Sequence, residues 1–355
     1  MAATESELRE WAGQCLAVGL PGPSVDRASA RMLAELRAGT VILFARNTPD
    51  VLTTRQLIDE LQALAAKAHR EPLLVCADQE GGRVQRLREG ATDLPAAMLL
   101  GQAGPDHVRA VSAMAADELL AAGITFVLAP VCDVNVEPAN PIIGNRAFGA
   151  DAELVGACVA AAIEGYRSAG LLTCAKHFPG HGDTRVDSHL GLPALERTPA
   201  QLEEVELPPF RSAVAAGVDS VMVGHLAVPA LDPSGTPASL SPPLLGGLLR
   251  ERLGWQGLVC ADDLEMAGVA GQDTTAGELA VRAMAAGCDL LFFSHTPSKA
   301  VAAAAALVEA VSSGRLSEAR LREAAERVRA LRERLRVGSP PALADVGSAP
   351  HAAIV

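Results

Sequence analysis

AELVGACVAAAIEGYRSAG (residues 152–170), followed directly by LLTCAKHF (171–178), is the stretch of this sequence that decides the fold. The first segment has the apolar periodicity of a helix and ends on glycine, as helices often do. The second is a short, nearly continuous apolar run, which is typical of a parallel strand covered on both faces. The run closes on Lys176 and His177, so polar groups stand where the strand is expected to end.

The same alternation recurs along the chain, with helical segments such as 106–123 in the intervals. Eight such units in roughly 320 residues predict a (β/α)8 barrel. A doubly wound open sheet is the alternative. That fold usually carries a glycine-rich phosphate loop after its first strand, and GLPGPSVD (19–26) lacks the GxGxxG spacing. The predicted strands are 14–20, 40–44, 72–78, 125–134, 171–178, 220–226, 257–263 and 290–294.

The C-terminal part of the sequence predicts a long amphipathic helix over residues 317–337. Its arginines alternate with glutamates, which favours a solvated, self-paired face over a nucleic-acid surface. The remaining residues are rich in Pro, Ala and Gly, which is typical of a loosely ordered segment. We therefore expect a single barrel domain over 1–337 and a loosely ordered tail over 338–355. The apolar stripe of the helix consists of Leu321, Ala325, Val328, Leu331 and Leu335.

The composition is that of a globular protein, with 49% hydrophobic and 20% charged residues among 355. The formal net charge of −12 argues against a nucleic-acid surface, which needs clustered positive charge. The N-terminal residues 1–14 include acids and no apolar core, and no run reaches the roughly 18 apolar residues of a membrane span. The seven cysteines are odd in number and include no CxxC pair, which favours buried thiols in a reducing compartment. We expect a cytoplasmic protein with neither a nucleic-acid nor a membrane partner.

Polar residues collect where the predicted strands end. In (β/α)8 barrels the active site lies at the C-terminal ends of the strands. Any one of these residues also fits a cap, a turn or a structural salt bridge, but several strands contributing to one rim indicate a functional site. The residues are Asp78 with Arg83 and Arg86, Asp133 with Arg146, Lys176 with His177, His225, Asp262 with Asp263, and His295.

The segment KHFPGHGDTRVDSHLGLP (176–193) leaves three kinds of site open. A carbohydrate-binding or scaffold protein is one, although a binder has no need of a proton donor. A metal-dependent hydrolase is another, but Pro179 and Gly180 break any helix that would put the flanking histidines on one face, and no HxH lies on an early strand. The ligands of such a metal would come from His177, His181, His189, His225 and Asp262.

Glycoside hydrolysis is the third possibility, and it needs a carboxylate that attacks the anomeric carbon and a proton donor for the leaving oxygen. Asp262 follows the apolar run GLVCA and is placed to project into the barrel mouth, whereas strand alternation would point Asp263 elsewhere. Asp187 and His189 are two residues apart, close enough for the carboxylate to orient the imidazole as an acid and base. Taken alone, DSH also fits a turn capped by its Asp and Ser.

Four motifs carry a resemblance to a known family. KHFPGHGDTRVDSH (176–189) is long and specific, ADQEGGRVQRL (77–87) is also strong, and NPIIGNRAFG (140–149) and CADDLEMAGV (260–269) accompany them. Together they resemble glycoside hydrolase family 3, in its β-N-acetylglucosaminidase branch, from about residue 14 to residue 335. The resemblance implies a (β/α)8 barrel and a retaining mechanism through a covalent glycosyl-enzyme intermediate, with no metal and no cofactor.

The resemblance also assigns roles to individual residues of this chain. It implies that Asp262 is the nucleophile and that His189, paired with Asp187, is the acid/base on a mobile loop. We expect Gly180 and Gly182 to give that loop its backbone freedom. Sugar-binding positions fall on Asp78, Arg86, Arg146, Lys176 and His177, with His181 close by.

Departures from the family pattern are modest. Ala261 stands where a serine often precedes the aspartate pair, and the chain resembles the compact single-domain members that serve cell-wall recycling in bacteria. We therefore expect a monomeric, cytoplasmic exo-β-N-acetylglucosaminidase that acts on a muropeptide such as N-acetylglucosaminyl-anhydromuramoyl peptide. A β-glucosidase and a phosphorylase of the same family are the neighbouring hypotheses.

Overall fold

The computed structural model describes residues 3–68, 70–185, 191–269, 274–335 and 341–355. Eight parallel strands form one sheet in sequence order, and the last strand pairs with the first. The remaining seam is closed by a parallel bridge between Cys260 and Leu290. The predicted (β/α)8 barrel is confirmed, and each strand lies within a predicted span. The strands are β1 Leu16–Gly19, β2 Thr40–Leu43, β3 Leu74–Ala77, β4 Phe126–Val127, β5 Leu172–Phe178, β6 Ser220–Val223, β7 Leu258–Ala261 and β8 Leu291–Phe293.

Helices alternate with these strands. The longer ones are α1 Glu5–Gln14, α2 Arg27–Leu36, α3 Val51–Lys67, α4 Ala97–Ala103, α5 Pro105–Ala121, α6 Ala152–Ala169, α7 Leu207–Ala215, α8 Ala276–Ala286, α9 Pro297–Ser312 and α10 Glu318–Glu333. Two further segments, Leu202–Glu206 and Pro243–Arg252, are π-helical. A short hairpin pairs Gln79–Gly81 with Val84–Gln85. Shorter helical turns occupy Gly144–Arg146, Pro199–Gln201, Ala238–Leu240, Leu343–Asp345 and Ala349–Ala352.

The α6–β5 unit shows how local sequence sets the boundaries of an element. Asp151 caps α6, because its carboxylate accepts a hydrogen bond of 2.8 Å from the backbone N–H of Leu154. The helix is capped at its C-terminus by Gly170, which has a φ of 92°, a left-handed backbone conformation that glycine adopts at little energetic cost. The chain then enters β5 after one residue, as the sequence predicts.

Side chains from alternate strands fill the barrel interior. Small residues project inward from the odd-numbered strands, and larger ones project from or directly after the even-numbered strands. The first set is Ala17, Cys76, Cys174 and Cys260, and the second is Ile42, Leu128, Met222 and Phe292. Two residues beyond the three inward cysteines stand Asp78, Lys176 and Asp262, so the same alternation carries polar groups to the barrel mouth.

Helix α10 closes the opposite end of the barrel. Val328 and Leu331 belong to the same buried cluster as the barrel interior, and Leu335 packs against it. Arg332 donates hydrogen bonds to the carbonyl oxygens of Glu71 and Pro72, just before β3. The predicted amphipathic helix is therefore confirmed, and Val328, Leu331 and Leu335 of its apolar stripe cover the N-terminal ends of the strands.

The described part of the tail, residues 341–355, contacts α5. The backbone N–H of Gly347 donates to Glu118 Oε1 over 2.9 Å, and His351 Nδ1 lies 2.9 Å from the same oxygen. The division into a barrel over 1–337 and a loosely ordered tail over 338–355 stays a prediction. None of the helices within the described ranges combines the length and apolarity needed to cross a bilayer.

Candidate active site

A cleft of about 650 Å³ opens at the C-terminal ends of the barrel strands. Its floor is apolar and consists of Ile42, Leu128, Met222 and Phe292. The predicted site residues within the described ranges all line it: Asp78, Arg86, Arg146, Lys176, His177, His181 and Asp262. The other two, Asp187 and His189, lie outside the described residues. The roles assigned to all nine stay predictions, but the sequence correctly brings seven of them to one cleft.

Lys176 is the centre of a buried network of charges. Its side chain is only 2% exposed, and its ammonium lies 2.7 Å from Asp78 Oδ1 and 2.6 Å from Glu80 Oε1. Arg86 completes the environment of Asp78 with a contact of 3.0 Å to Oδ2. Arg146 pairs with both oxygens of Glu80, at 2.7 and 2.8 Å. Each buried charge therefore has at least one close counter-charge, which burial requires.

The network keeps its carboxylates ionised. Burial by itself raises the pKa of Glu80, but Arg146 and Lys176 outweigh it and lower that pKa to about 2. The pKa of Asp78 is likewise held well below its ordinary value, because Lys176 and Arg86 outweigh its burial. Lys176, Arg86 and the ionised Asp78 therefore stand side by side in the cleft, a combination that can hold both the oxygens and the hydroxyl protons of a sugar.

Asp133 positions the two histidines that follow β5. Its carboxylate lies 2.8 Å from His177 Nδ1 and accepts the backbone N–H of His181 over 2.7 Å. On the other side of the imidazole, a guanidinium nitrogen of Arg146 lies 3.5 Å from His177 Nε2. Because arginine can only donate, this contact is a hydrogen bond only when Nε2 accepts and Nδ1 carries the proton donated to Asp133.

His181 lines the cleft and has one ring nitrogen with no partner among the described residues. Its Nδ1 lies 2.6 Å from the hydroxyl of Thr184, whereas its buried Nε2 has no hydrogen-bond partner among the described residues. Burial lowers the pKa of this imidazole and favours its neutral form. An unpartnered polar atom at this depth is available to a ligand.

Asp262 follows β7 and is held as a carboxylate. Its backbone N–H donates to the carbonyl of Val223 over 3.0 Å, and its Oδ1 accepts the N–H of Asp263 over 2.8 Å. Burial raises its pKa, but the nearby His177 and His225, the Asp263 N–H and Lys176 together bring the pKa below its ordinary value. The group is therefore ionised at neutral pH, as a nucleophile must be.

Asp263 does not point away from the cleft as strand alternation predicts; it lines the cleft beside Asp262. The expectation is wrong because β7 ends at Ala261, and strand alternation does not extend beyond the strand. Burial raises the pKa of its carboxyl to about 6. Its backbone oxygen lies 2.9 Å from His225 Nε2, and His225 Nδ1 lies 2.7 Å from the hydroxyl of Ser239.

Two of the histidines that a metal site would need, His177 and His225, are engaged by other groups. Among the residues that the structure describes, no group of three or more His, Cys, Asp or Glu side chains is arranged to hold a metal ion. His177 is bound to Asp133, and His225 is held between Ser239 and the backbone of Asp263.

Sequence reasoning missed the role of Glu80, and it placed Asp133 at the rim without assigning it a role. Glu80 lies inside the ADQEGGRVQRL motif, and its side chain is 2% exposed between Lys176 and Arg146. The signal that could have found it is charge balance, because a buried lysine and arginine need more than one carboxylate. Asp133 stands at a predicted strand end, but its bond to His177 depends on how closely two strand ends approach.

Comparison with known proteins agrees with this architecture. Residues 7–331 match the family model described as the glycosyl hydrolase family 3 N-terminal domain. A protein of Alkalilimnicola ehrlichii named Beta-hexosaminidase is 40% identical over 292 residues, which cover 79% of this chain and 81% of the relative.

Solved structures give the same result. A glycoside hydrolase family 3 β-N-acetylglucosaminidase from Paenibacillus sp. FPU-7 superposes with a TM-score of 0.93 at 38% identity, over 99% of this chain and 68% of that chain. A β-N-acetylhexosaminidase from Beutenbergia cavernae gives a TM-score of 0.86 at 32% identity, over 92% of this chain and 98% of that chain. With a family match over nearly the whole barrel and a cleft lined by the motif residues, the chain belongs to glycosyl hydrolase family 3.

Proposed function

We propose that this chain is a retaining exo-β-N-acetylglucosaminidase that removes a terminal, non-reducing N-acetylglucosamine. The relative from Alkalilimnicola ehrlichii supports a hexosaminidase activity by its name, and the similar structures from Paenibacillus and Beutenbergia support an N-acetylhexosamine substrate by theirs. The observation that carries the proposal is the ionised carboxylate of Asp262 in the same cleft as Lys176 and His177.

In the proposed complex the sugar sits over the apolar floor of the cleft. Asp78 accepts a hydroxyl proton of the sugar, while Lys176 and Arg86 donate to hydroxyl oxygens. Arg146, His177 and His181 complete the binding site. The unpartnered Nε2 of His181 supports this assignment, because a ligand hydroxyl would satisfy it.

The proposed reaction has two displacement steps. Asp262 attacks the anomeric carbon and forms a glycosyl ester, while His189, oriented by Asp187, transfers its proton to the departing glycosidic oxygen. The now neutral His189 then takes a proton from water as the water oxygen attacks the same carbon. The ester bond breaks, Asp262 is released as a carboxylate, and the sugar keeps its β configuration. The sequence motif KHFPGHGDTRVDSH supports the role of this pair.

We extend the proposal to the natural substrate. A muropeptide such as N-acetylglucosaminyl-anhydromuramoyl peptide is the proposed glycoside, and peptidoglycan recycling in the cytoplasm by a monomeric enzyme is the proposed role. The resemblance to compact members of the family supports this choice.

The experiment that tests the function compares hydrolysis of p-nitrophenyl N-acetyl-β-glucosaminide and p-nitrophenyl β-glucoside, with EDTA present and with Asp262→Ala as the control. The proposal expects preference for the N-acetyl sugar, no effect of EDTA and loss of turnover in the variant. Preference for the glucoside would indicate a β-glucosidase, and activity that needs restored metal would indicate a metal-dependent hydrolase. Release of sugar 1-phosphate in phosphate buffer, in place of free sugar, would indicate a phosphorylase.

A further inference from the structure

Arg197 lies between two carboxylates that belong to different segments of the chain. Its Nε is 2.7 Å from Asp183 Oδ2 and 3.3 Å from Glu206 Oε1. The side chain of Arg197 is 17% exposed and that of Glu206 is 2% exposed, so the contact is shielded from solvent. Asp183 precedes, and Arg197 follows, the residues that include Asp187 and His189.

The chain is anchored at Asp183. The neighbouring His181 is fixed through its N–H to Asp133, and its carbonyl accepts hydrogen bonds of 2.8 Å from the amide of Asn140 and 2.9 Å from the hydroxyl of Thr184. Gly182 packs directly on Val134, and a Cβ there would lie 1.8 Å from the Val134 carbonyl oxygen. This part of the chain therefore has little freedom to move.

The chain is also anchored just before Arg197. The N–H of Leu195 donates to the carbonyl of Ala227 over 2.8 Å, and the N–H of Ala227 donates to the carbonyl of Pro193 over 2.8 Å. These bonds tie the segment to the residues that follow β6. Arg197 therefore joins two ends that are each fixed to the barrel.

Glu206 forms the base of this arrangement. It lies in the π-helical segment before α7, and its side chain fills the space beside Gly180, where a Cβ would lie 2.7 Å from Glu206 Cγ. The backbone of Gly180 has a φ of 130°, which disfavours other residues. Gly180 therefore provides both a backbone conformation that other residues disfavour and close packing on Glu206, and Gly182 provides close packing on Val134.

We propose that Arg197 is a positioning residue for catalysis: through its ion pairs with Asp183 and Glu206, it holds the chain before Asp187 and the chain after His189 in a fixed relation to each other. The proposal rests on the proposed function, in which His189 is the proton donor. Arg197 contacts neither the cleft nor Asp262 among the described residues; it acts through the segment whose ends it holds.

A misplaced donor has a recognisable kinetic signature. Cleavage of an unactivated glycoside needs a proton on the leaving oxygen, whereas nitrophenolate leaves with little assistance. The ratio kcat/KM reports the first step alone, in which the leaving group departs. Loss of Arg197 should therefore reduce kcat/KM for a disaccharide much more than for the nitrophenyl glycoside. A loss through misfolding or a damaged nucleophile would reduce both equally.

The test measures kcat/KM of Arg197→Met on N,N′-diacetylchitobiose and on p-nitrophenyl N-acetyl-β-glucosaminide. Arg211→Met, which removes a half-exposed arginine paired with Glu203, is the matched control. We expect a loss of roughly 10²-fold on the disaccharide, the cost of a misplaced reacting group, and about 3-fold or less on the nitrophenyl substrate, where the donor contributes little. The control should keep the wild-type kcat/KM on both substrates.

Asp183→Asn is the second variant, and it serves if Arg197→Met fails to fold. It weakens the pair between Asp183 and Arg197 but keeps the pair between Arg197 and Glu206. It should show the same selective loss, to a smaller degree. Equal losses of kcat/KM on both substrates in folded variants, or no loss on either substrate, would overturn the positioning role of Arg197. The proposed function would still stand in that case, provided that the wild-type enzyme turns the substrates over. Absence of turnover by the wild-type enzyme on both substrates would overturn the proposed function and the positioning role together.

Discussion

The ammonium of Lys176, in β5, lies 2.7 Å from Oδ1 of Asp78, which follows β3, although β4 separates these two strands in the barrel. Lys176 is the third residue from the end of β5, and Asp78 directly follows β3. The contact therefore joins two sides of the barrel mouth. It also places a fixed positive charge in the cleft that holds Asp262.

Removing this charge should destabilise the fold. Lys176→Met leaves Asp78 and Glu80 with less compensation, and breaking a buried ion pair from one side costs roughly 3–5 kcal/mol. Lys299→Met is the matched control, because that lysine is 46% exposed and its pair with Glu265 should contribute less than about 1 kcal/mol. Denaturant unfolding at pH 7 measures both, and equal stability of the two variants would contradict the role of Lys176.

Replacing the proposed nucleophile should abolish turnover, whereas replacing its neighbour should not. We expect Asp262→Asn to lower kcat on the nitrophenyl substrate by about 10⁴-fold or more, as for loss of a nucleophile elsewhere. Asp263→Asn keeps the backbone oxygen that contacts His225, so its loss should be at least about tenfold smaller. With Asp262→Gly and added azide, we expect an α-glycosyl azide, because azide then attacks the face that the carboxylate occupied. Equal losses for the two aspartates would contradict the assignment.

Glu206 should make stability depend on pH. Burial raises the pKa of this carboxyl to about 7 in the folded state, against the opposing effect of Arg197, while the charge of Asp183 adds to the rise. The folded protein therefore holds the proton more tightly than the unfolded chain does. This contribution to stability is complete below about pH 4.5, the ordinary value for the unfolded chain, and is lost as the pH rises through 7.

Glu206→Gln cannot ionise and should avoid that loss. We expect its Tm, relative to wild type, to rise between pH 5 and pH 8 in thermal unfolding. Glu326→Gln, at a side chain that is 56% exposed on α10, should show no such trend. A difference between Glu206→Gln and wild type that stays constant across this range would contradict the pKa shift.

Because α10 covers one end of the barrel, the stability of the fold should depend strongly on the apolar stripe of this helix. Leu331 is 4% exposed and packs with the barrel interior, so Leu331→Ala should cost about 2–5 kcal/mol of unfolding free energy. Arg322→Ala, at a half-exposed residue of the same helix, should cost less than about 1 kcal/mol. Guanidinium unfolding distinguishes them, and a Leu331→Ala protein as stable as Arg322→Ala would show that the helix is not part of the core.

The strands were predictable because each leaves a local signal. A run such as LLTCAKHF is largely apolar because both faces of a parallel strand are covered, and the polar Lys176 and His177 mark the end of the strand that lines the cleft. The stripe from Leu321 to Leu331 leaves an equally local signal in α10. In both cases the information lies within one element.

The features that the sequence did not predict are contacts between residues of different elements. The bond between Asp133 and His177 requires that the segment after β4 run beside the end of β5, to which Val131 bridges it at Lys176. The burial of Glu80 requires the hairpin that follows β3. The direction of Asp263 depends on where β7 stops, which the apolar run does not mark to the residue. The packing of Gly180 on Glu206 joins residues that are far apart in the sequence.

The measurement that tests the central claim most directly is trapping of the glycosyl-enzyme. Wild-type protein is treated with 5-fluoro-β-N-acetylglucosaminyl fluoride, digested and analysed by tandem mass spectrometry. The account predicts one added sugar on the carboxylate of Asp262, and none after prior treatment with a competing N-acetylglucosamine ligand. A sugar on Asp263 or any other residue, or inactivation with no covalent adduct, would contradict it.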